Sequence, residues 1–72
     1  MKEKIQAVFA ERLRELMQEK SLSQSALSVD TAIPVTSING WLLQKRTIQI
    51  DALCKLADYF GVSVDYLLGR EN

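Results

Sequence analysis

Hydrophobic positions near the N-terminus repeat at helical spacing. Between residues 2 and 20, apolar side chains recur at intervals of four, four and three residues, at Ile5, Phe9, Leu13 and Leu16. This spacing places them in one stripe along an amphipathic helix, and charged residues fill most of the remaining positions. The pattern therefore predicts a first helix from Lys2 to Lys20.

Two short helices joined by a tight turn are predicted next. Ser23 is the preferred cap of the second helix, because its hydroxyl can accept a hydrogen bond from a free N–H group of the first turn. That helix runs from Gln24 to about Thr31, with Leu27 as its core anchor. Pro34 marks the start of the third helix, since its fixed φ suits a first turn and its missing N–H costs nothing there.

The third helix has two different faces. One is apolar at spacings i, i+3 and i+4, and we expect it to be buried; it carries Ile38, Trp41 and Leu42. Trp41 is a candidate for stacking on a base, but its spacing from Ile38 favours core packing. The opposite face carries small and polar side chains at Val35, Thr36, Asn39 and Gly40.

Residues 44 to 49 are predicted to form a loop. Lys45 and Arg46 stand side by side in it, and Thr47 is able to cap the helix that follows. On charge alone, a solvated loop and a functional basic pair are equally good interpretations.

The C-terminal third of the chain predicts two more helices. The fourth, about Gln49 to Phe60, has a wide apolar face that includes Cys54, which we expect to be buried, and Gly61 can close it in a left-handed conformation. Ser63 starts the fifth, from Val64 to Leu68. No strand pattern appears, so the sequence predicts an all-α fold.

Composition limits the classes of function. The chain has 72 residues, 47% of them hydrophobic, which fits a single domain over residues 1–72. Its single cysteine and lack of histidine leave no nucleophile–base pair, so we expect no enzyme, cofactor, metal or small-molecule substrate. No segment approaches the roughly 20 apolar residues of a membrane helix or has the layout of a secretory signal, so we expect a cytoplasmic protein with no membrane partner.

Short fragments in a fixed order cover nearly the whole chain. They are Arg12-Leu13-Arg14-Glu15-Leu16, Leu22-Ser23-Gln24 before Leu27, Ser37-Ile38, Lys45-Arg46, Leu56-Ala57, and Gly61-Val62-Ser63-Val64-Asp65-Tyr66-Leu67-Leu68-Gly69. Together they make residues 9–70 resemble the Cro and phage-repressor (Xre-type) helix-turn-helix family. The resemblance implies a compact five-helix, lambda-repressor-like fold. It also implies a transcriptional regulator, usually a homodimer that binds a palindromic operator in double-stranded DNA.

The resemblance further implies roles for individual residues. The third helix becomes the recognition helix, with base-reading positions at Val35, Thr36, Asn39 and Gly40. Contacts to DNA phosphates fall on Ser23, Gln24, Lys45 and Arg46, and the free N–H groups at a helix N-terminus also attract phosphate physically. Tyr66 lies where related repressors often dimerise.

Several positions depart from the family pattern. An Arg late in the first helix and a Glu late in the third are often paired, and here Met17 and Leu42 stand in those places, which predicts a packing contact instead of an ion pair. Ala32 replaces a turn glycine, and Gln44 would be strained in a left-handed conformation. On the predicted reading face only Asn39 is a strong reader, so we expect modest specificity biased towards A·T pairs.

Charge leaves a second function open. Nine Lys and Arg residues balance nine Asp and Glu residues, without the basic excess common among nucleic-acid binders. Residues 21–50 hold Lys45 and Arg46 against Asp30, whereas residues 51–72 hold four acids and two bases, so we expect the acids to lie away from the DNA face. The alternative is a protein-interaction module with the same fold and a weakened DNA-binding face.

Overall fold

The computed structural model describes residues 2–71, and five helices account for most of them. They are α1 (Lys2–Glu19), α2 (Gln24–Thr31), α3 (Val35–Leu42), α4 (Ile50–Phe60) and α5 (Val64–Leu67). The predicted all-α fold is confirmed, and each predicted helix boundary lies within one residue of the observed one. Met1 and Asn72, the ends of the predicted domain, lie outside the described residues.

One fully buried side chain from each helix forms the centre of the core. These five residues have 0% exposure and are Leu13, Leu27, Ile38, Leu56 and Leu67. Burying an aliphatic side chain of this size contributes about 1.5 to 3 kcal/mol, so each helix supplies at least one strong anchor to the shared core. The ring of Phe9 meets the ring of Trp41 edge to face, 6.0 Å between centroids, and the predicted core position of Trp41 is confirmed.

Helix α1 supports the end of α3. Met17 and Leu42 are both buried in the same core cluster, in agreement with the predicted packing contact. A polar tie exists as well, because Arg14 Nη2 donates a hydrogen bond of 3.1 Å to the carbonyl oxygen of Leu42. A cation at the C-terminus of a helix also interacts favourably with the helix dipole.

Every helix is followed by a residue of positive φ or ends close to one. The residues are Ser21 (52°), Ala32 (60°), Gln44 (60°), Gly61 (68°) and Gly69 (77°). The left-handed conformations predicted for Gly61 and considered for Gln44 are therefore confirmed. Ala32 adopts the conformation for which the family pattern has glycine, so the turn between α2 and α3 keeps its geometry without that residue.

Two predictions about α4 are wrong. Cys54 is exposed, because the buried face of α4 is formed by Leu53, Leu56, Ala57 and Phe60 and the thiol lies outside that stripe. Thr47 does not cap the helix, since Gln49 occupies the N-cap position and makes no side-chain cap bond.

Among residues 2–71, no helix combines the length and the apolar composition that a bilayer crossing requires.

Candidate nucleic-acid interface

The N-terminus of α2 is capped and open to solvent. Ser23 has extended backbone angles, and its Oγ accepts a hydrogen bond of 3.0 Å from the backbone N–H of Ala26, which confirms the predicted cap. Ser23 is exposed and Gln24 is half-buried. Because none of residues 23–26 is buried, an anion can approach the remaining N–H groups of this first turn.

A tight turn joins α2 to α3 and sets their relative orientation. Thr31 is buried, and its hydroxyl donates to the carbonyl oxygen of Leu27 at 2.7 Å while accepting from the backbone N–H of Ile33 at 3.4 Å. Ala32 has a left-handed conformation, only three residues connect α2 to α3, and Pro34 occupies the N-cap position of α3. The turn therefore needs no glycine to satisfy its polar groups.

The outer face of α3, defined here as Val35, Thr36 and Asn39, is open to solvent. Thr36 and Asn39 are exposed, and Val35 keeps 40% of its surface accessible. Gln24 Nε2 lies 3.5 Å from Asn39 Oδ1, so the start of α2 and the middle of the outer face form one continuous polar surface. Three of the four predicted base-reading residues thus lie together and uncovered.

Gly40 differs from these three, and its expected place on the open face is wrong. It is buried, and a Cβ built on it would lie 2.5 Å from Cδ and 2.6 Å from Cγ of Arg46. The side chain of Arg46 covers Gly40 because the chain folds back over α3 after the helix ends. Gly40 is therefore not placed to touch a base itself.

The basic loop, residues 43–49, is fixed at both flanks. The backbone N–H groups of Lys45 and Arg46 both donate to the carbonyl oxygen of Gly40, at 2.8 and 3.3 Å. On the other flank, Gln6 Nε2 donates to Thr47 Oγ1 at 2.7 Å. The loop is thus held against α3 and α1, while the side chains of its two cations remain exposed.

Sequence reasoning missed two of the residues that support this surface, Gln6 and Arg14. Each stands among the polar positions of α1, where a contact with a distant loop or carbonyl leaves no periodic signal. Gln6 and Thr47 are 41 residues apart in the chain, and only the packing of α1 beside the basic loop brings them together.

Acidic groups are distributed around the interface in an unexpected way. A groove of about 310 Å³ runs between α3, the basic loop and α4, and Asp51 lines it together with Arg46 and Lys55. The expectation that all acids of residues 51–72 lie away from this side is therefore wrong for Asp51.

Asp30, in contrast, accepts a hydrogen bond of 2.6 Å from the hydroxyl of Tyr59. This bond, with partial burial and the carboxylate charge, raises the pKa of Tyr59.

Tyr66, the predicted dimer residue, is partly covered within its own chain. The guanidinium carbon of Arg12 lies 4.2 Å from the centroid of the Tyr66 ring, a cation–π arrangement. Arg12 Nη1 also donates to the backbone carbonyl of Glu71 at 3.2 Å. One face of the ring is thus occupied, and a role for Tyr66 between subunits stays a prediction.

Comparison with known proteins agrees with the family predicted from the sequence. The helix-turn-helix family matches residues 13–67. An uncharacterized HTH-type transcriptional regulator of Bacillus subtilis, YobD, is 32% identical over 62 residues, which are 86% of this chain and 55% of that protein. The chain thus spans about half the length of this curated relative. No solved structure gives a significant match.

Proposed function

This chain belongs to the helix-turn-helix family, and on that premise we propose that it is a sequence-specific DNA-binding regulator of transcription, acting as a repressor. Helix α3 lies in the major groove of double-stranded DNA, and the N-terminus of α2 faces a phosphate. A homodimer binds a palindromic operator, with its two α3 helices about one helical turn, roughly 34 Å, apart.

The observation that carries this proposal is the uncovered outer face of α3 beside the open N-terminus of α2. A helix enters the major groove only if the side that meets the base edges is free of its own chain. Thr36 and Asn39 meet that condition, and Gln24 lies next to Asn39 at the border between base and backbone.

The chemistry of this face favours readout of A·T pairs. The amide of Asn39 has the donor and acceptor that match N6 and N7 of adenine. Val35 and the methyl group of Thr36 suit the C5-methyl group of thymine. The outer face carries no Arg or Lys to bind guanine in a bidentate manner, so its selectivity is modest.

Phosphate contacts supply the remaining affinity. Ser23 and Gln24 offer polar groups and free backbone N–H at the positive end of the α2 dipole. Lys45 and Arg46 extend from the fixed basic loop on the other side of α3. With only two cations in this set, binding has a shallow salt dependence, since each neutralised phosphate adds about 0.9 to the slope of log K against log salt.

Titration with duplexes of different sequence at several salt concentrations tests the function. We expect tighter binding to A·T-rich than to random duplexes. Asn39→Ala should cost about 1 to 3 kcal/mol at one base-pair position, because it removes a bidentate contact to that base. An equal loss on all sequences would contradict base reading by Asn39.

The double variant Lys45→Ala, Arg46→Ala is the matched control for the phosphate contacts. It should weaken binding to every sequence alike and lower the salt slope by up to about 2, because two cations are lost. An unchanged slope rejects their role at phosphates. Binding that is absent or blind to sequence in the wild-type protein favours the protein-interaction module instead.

A further inference from the structure

We propose that Gly40 is a positioning residue for Arg46. Because Gly40 has no side chain, the stem of Arg46 lies directly on α3, and this contact holds the guanidinium beside the outer face for a phosphate contact. The proposal rests on the DNA-binding function proposed above. It states how one of the cations of that site is held, and it replaces the base-reading role expected for Gly40.

The contact between the two residues leaves no room for a side chain at position 40. A Cβ there would lie 2.5 Å from Cδ, 2.6 Å from Cγ and 3.3 Å from Cβ of Arg46. Three successive carbons of the arginine stem therefore cross the surface of the helix at this one position. Thr36 precedes Gly40 by one helical turn, so the stem lies next to the outer face, on the side where Arg46 and Ser37 line the groove.

The backbone of Gly40 gives no other reason for a glycine. Only Gly61 and Gly69 among the described glycines have positive φ, so Gly40 has a conformation open to any L-residue. A glycine inside a helix lowers helix stability relative to alanine. This cost is offset because the missing side chain leaves space for the stem of Arg46 to pack against α3.

The two cations of the basic loop differ in this respect. Lys45 is exposed, and none of its side-chain atoms is among the three nearest to a Cβ at position 40. A long side chain that is already packed loses less conformational freedom when it binds than a free one does. Arg46, whose stem is packed on α3, is thus the pre-ordered phosphate ligand of the pair.

Gly40→Ala separates this role from a purely structural one. The nearest atoms, Cδ and Cγ of Arg46, can move only by rotation of the arginine side chain, so the overlap offsets part of the gain in helix propensity and the melting temperature should change by only a few degrees. DNA affinity should nevertheless fall by up to about tenfold, with a salt slope lower by up to about 0.9, since one charged contact is misplaced. In the Arg46→Ala background, the same change should leave affinity unchanged within about twofold, because a contact already lost cannot be lost again.

Lys45→Ala is the matched background, and there Gly40→Ala should keep its full effect. An NMR contact between the Gly40 Hα and Arg46 side-chain protons in the free wild-type protein tests the packing without DNA. An equal affinity loss with and without Arg46, no loss at all, or absence of that NMR contact overturns the proposal. If the wild-type protein binds no duplex, the proposed function fails together with it; if it binds and Gly40→Ala is silent, only this inference fails.

Discussion

The two halves of the molecule end their helices with the same backbone conformation but with different residues. In the N-terminal half (α1–α3), the positive-φ positions hold Ser21, Ala32 and Gln44, with φ of 52°, 60° and 60°. In the C-terminal half (α4 and α5), they hold Gly61 and Gly69, with φ of 68° and 77°. A Cβ makes this conformation unfavourable by roughly 1 to 2 kcal/mol, so backbone strain is concentrated in the half that carries the candidate interface.

The same helix-end hydrogen bond accompanies this conformation at Gln44 and at Gly61, although the residue types differ. After α3, the N–H of Lys45 donates to the carbonyl of Gly40 at 2.8 Å, closing the same ring that the N–H of Val62 closes with Ala57 at 3.0 Å after α4. Both bonds satisfy carbonyls that a helix end would otherwise leave without a partner. The core and these bonds together hold Gln44 in a conformation that its own side chain disfavours.

Replacing a positive-φ glycine of the C-terminal half should have the largest effect on the free energy of unfolding. Gly69→Ala combines a positive φ with a Cβ only 2.5 Å from Cγ1 of Val8, so we expect the free energy of unfolding to fall by about 2 to 3 kcal/mol. Thermal unfolding should show a decrease of roughly 10 to 20 °C for a domain of this size. At Gly61 nothing lies within 4 Å of the added Cβ, so Gly61→Ala should show the backbone cost alone, about 1 kcal/mol.

The Val8→Ala background separates the two contributions at Gly69. Removing the Val8 methyl groups relieves the 2.5 Å overlap and leaves only the 3.3 Å contact with the Cβ of residue 8, so Gly69→Ala should cost little more there than Gly61→Ala does in the wild-type protein. An undiminished cost in that background would show that Val8 is not the obstacle.

Placing glycine at a positive-φ position of the N-terminal half should change the free energy of unfolding in the opposite direction and by a smaller amount. Ala32→Gly and Gln44→Gly should each raise the free energy of unfolding by about 0.5 to 1 kcal/mol, because relief of strain exceeds the extra entropy of the unfolded chain. Denaturant unfolding measures the change. Ala52→Gly, inside the right-handed turns of α4, is the control and should lose about 1 kcal/mol. If Ala32→Gly destabilises as the control does, the strain argued here is absent.

The same contrast shows what the sequence could predict. Helix bounds and caps follow from local patterns, which predict helix ends at Ser23, Pro34 and Gly61 to within a few residues. The burial of Cys54 was predicted wrongly because apolar spacing gives the direction of a helix face but not its width, and the core needs only four residues of α4.

The candidate site was predictable only in part, for a physical reason. The face of α3 follows from its own periodicity, so Thr36 and Asn39 are where the pattern puts them. The cover over Gly40 depends on how a loop folds back, and local pattern carries no information about that. Only the packing of the loop on α3 shows whether Gly40 is exposed to a ligand or covered by the side chain of Arg46.

The smallest expected effect concerns one of the hydrogen bonds between the two halves, from Tyr59 on α4 to Asp30 on α2. The bond to Asp30 raises the pKa of Tyr59 above its usual value near 10, so the folded state holds this proton more tightly than the unfolded state. The resulting stabilisation is present below pH 10 and is lost as the pH rises through the folded pKa. Asp30→Asn removes the charge, so its tyrosinate absorbance should appear at lower pH than in the wild-type protein. Tyr59→Phe should lower the free energy of unfolding a little at neutral pH, and this free energy should then decline less steeply with rising pH than in the wild-type protein. An identical alkaline decline in the two proteins would show that the hydrogen bond from Tyr59 to Asp30 does not stabilise the fold.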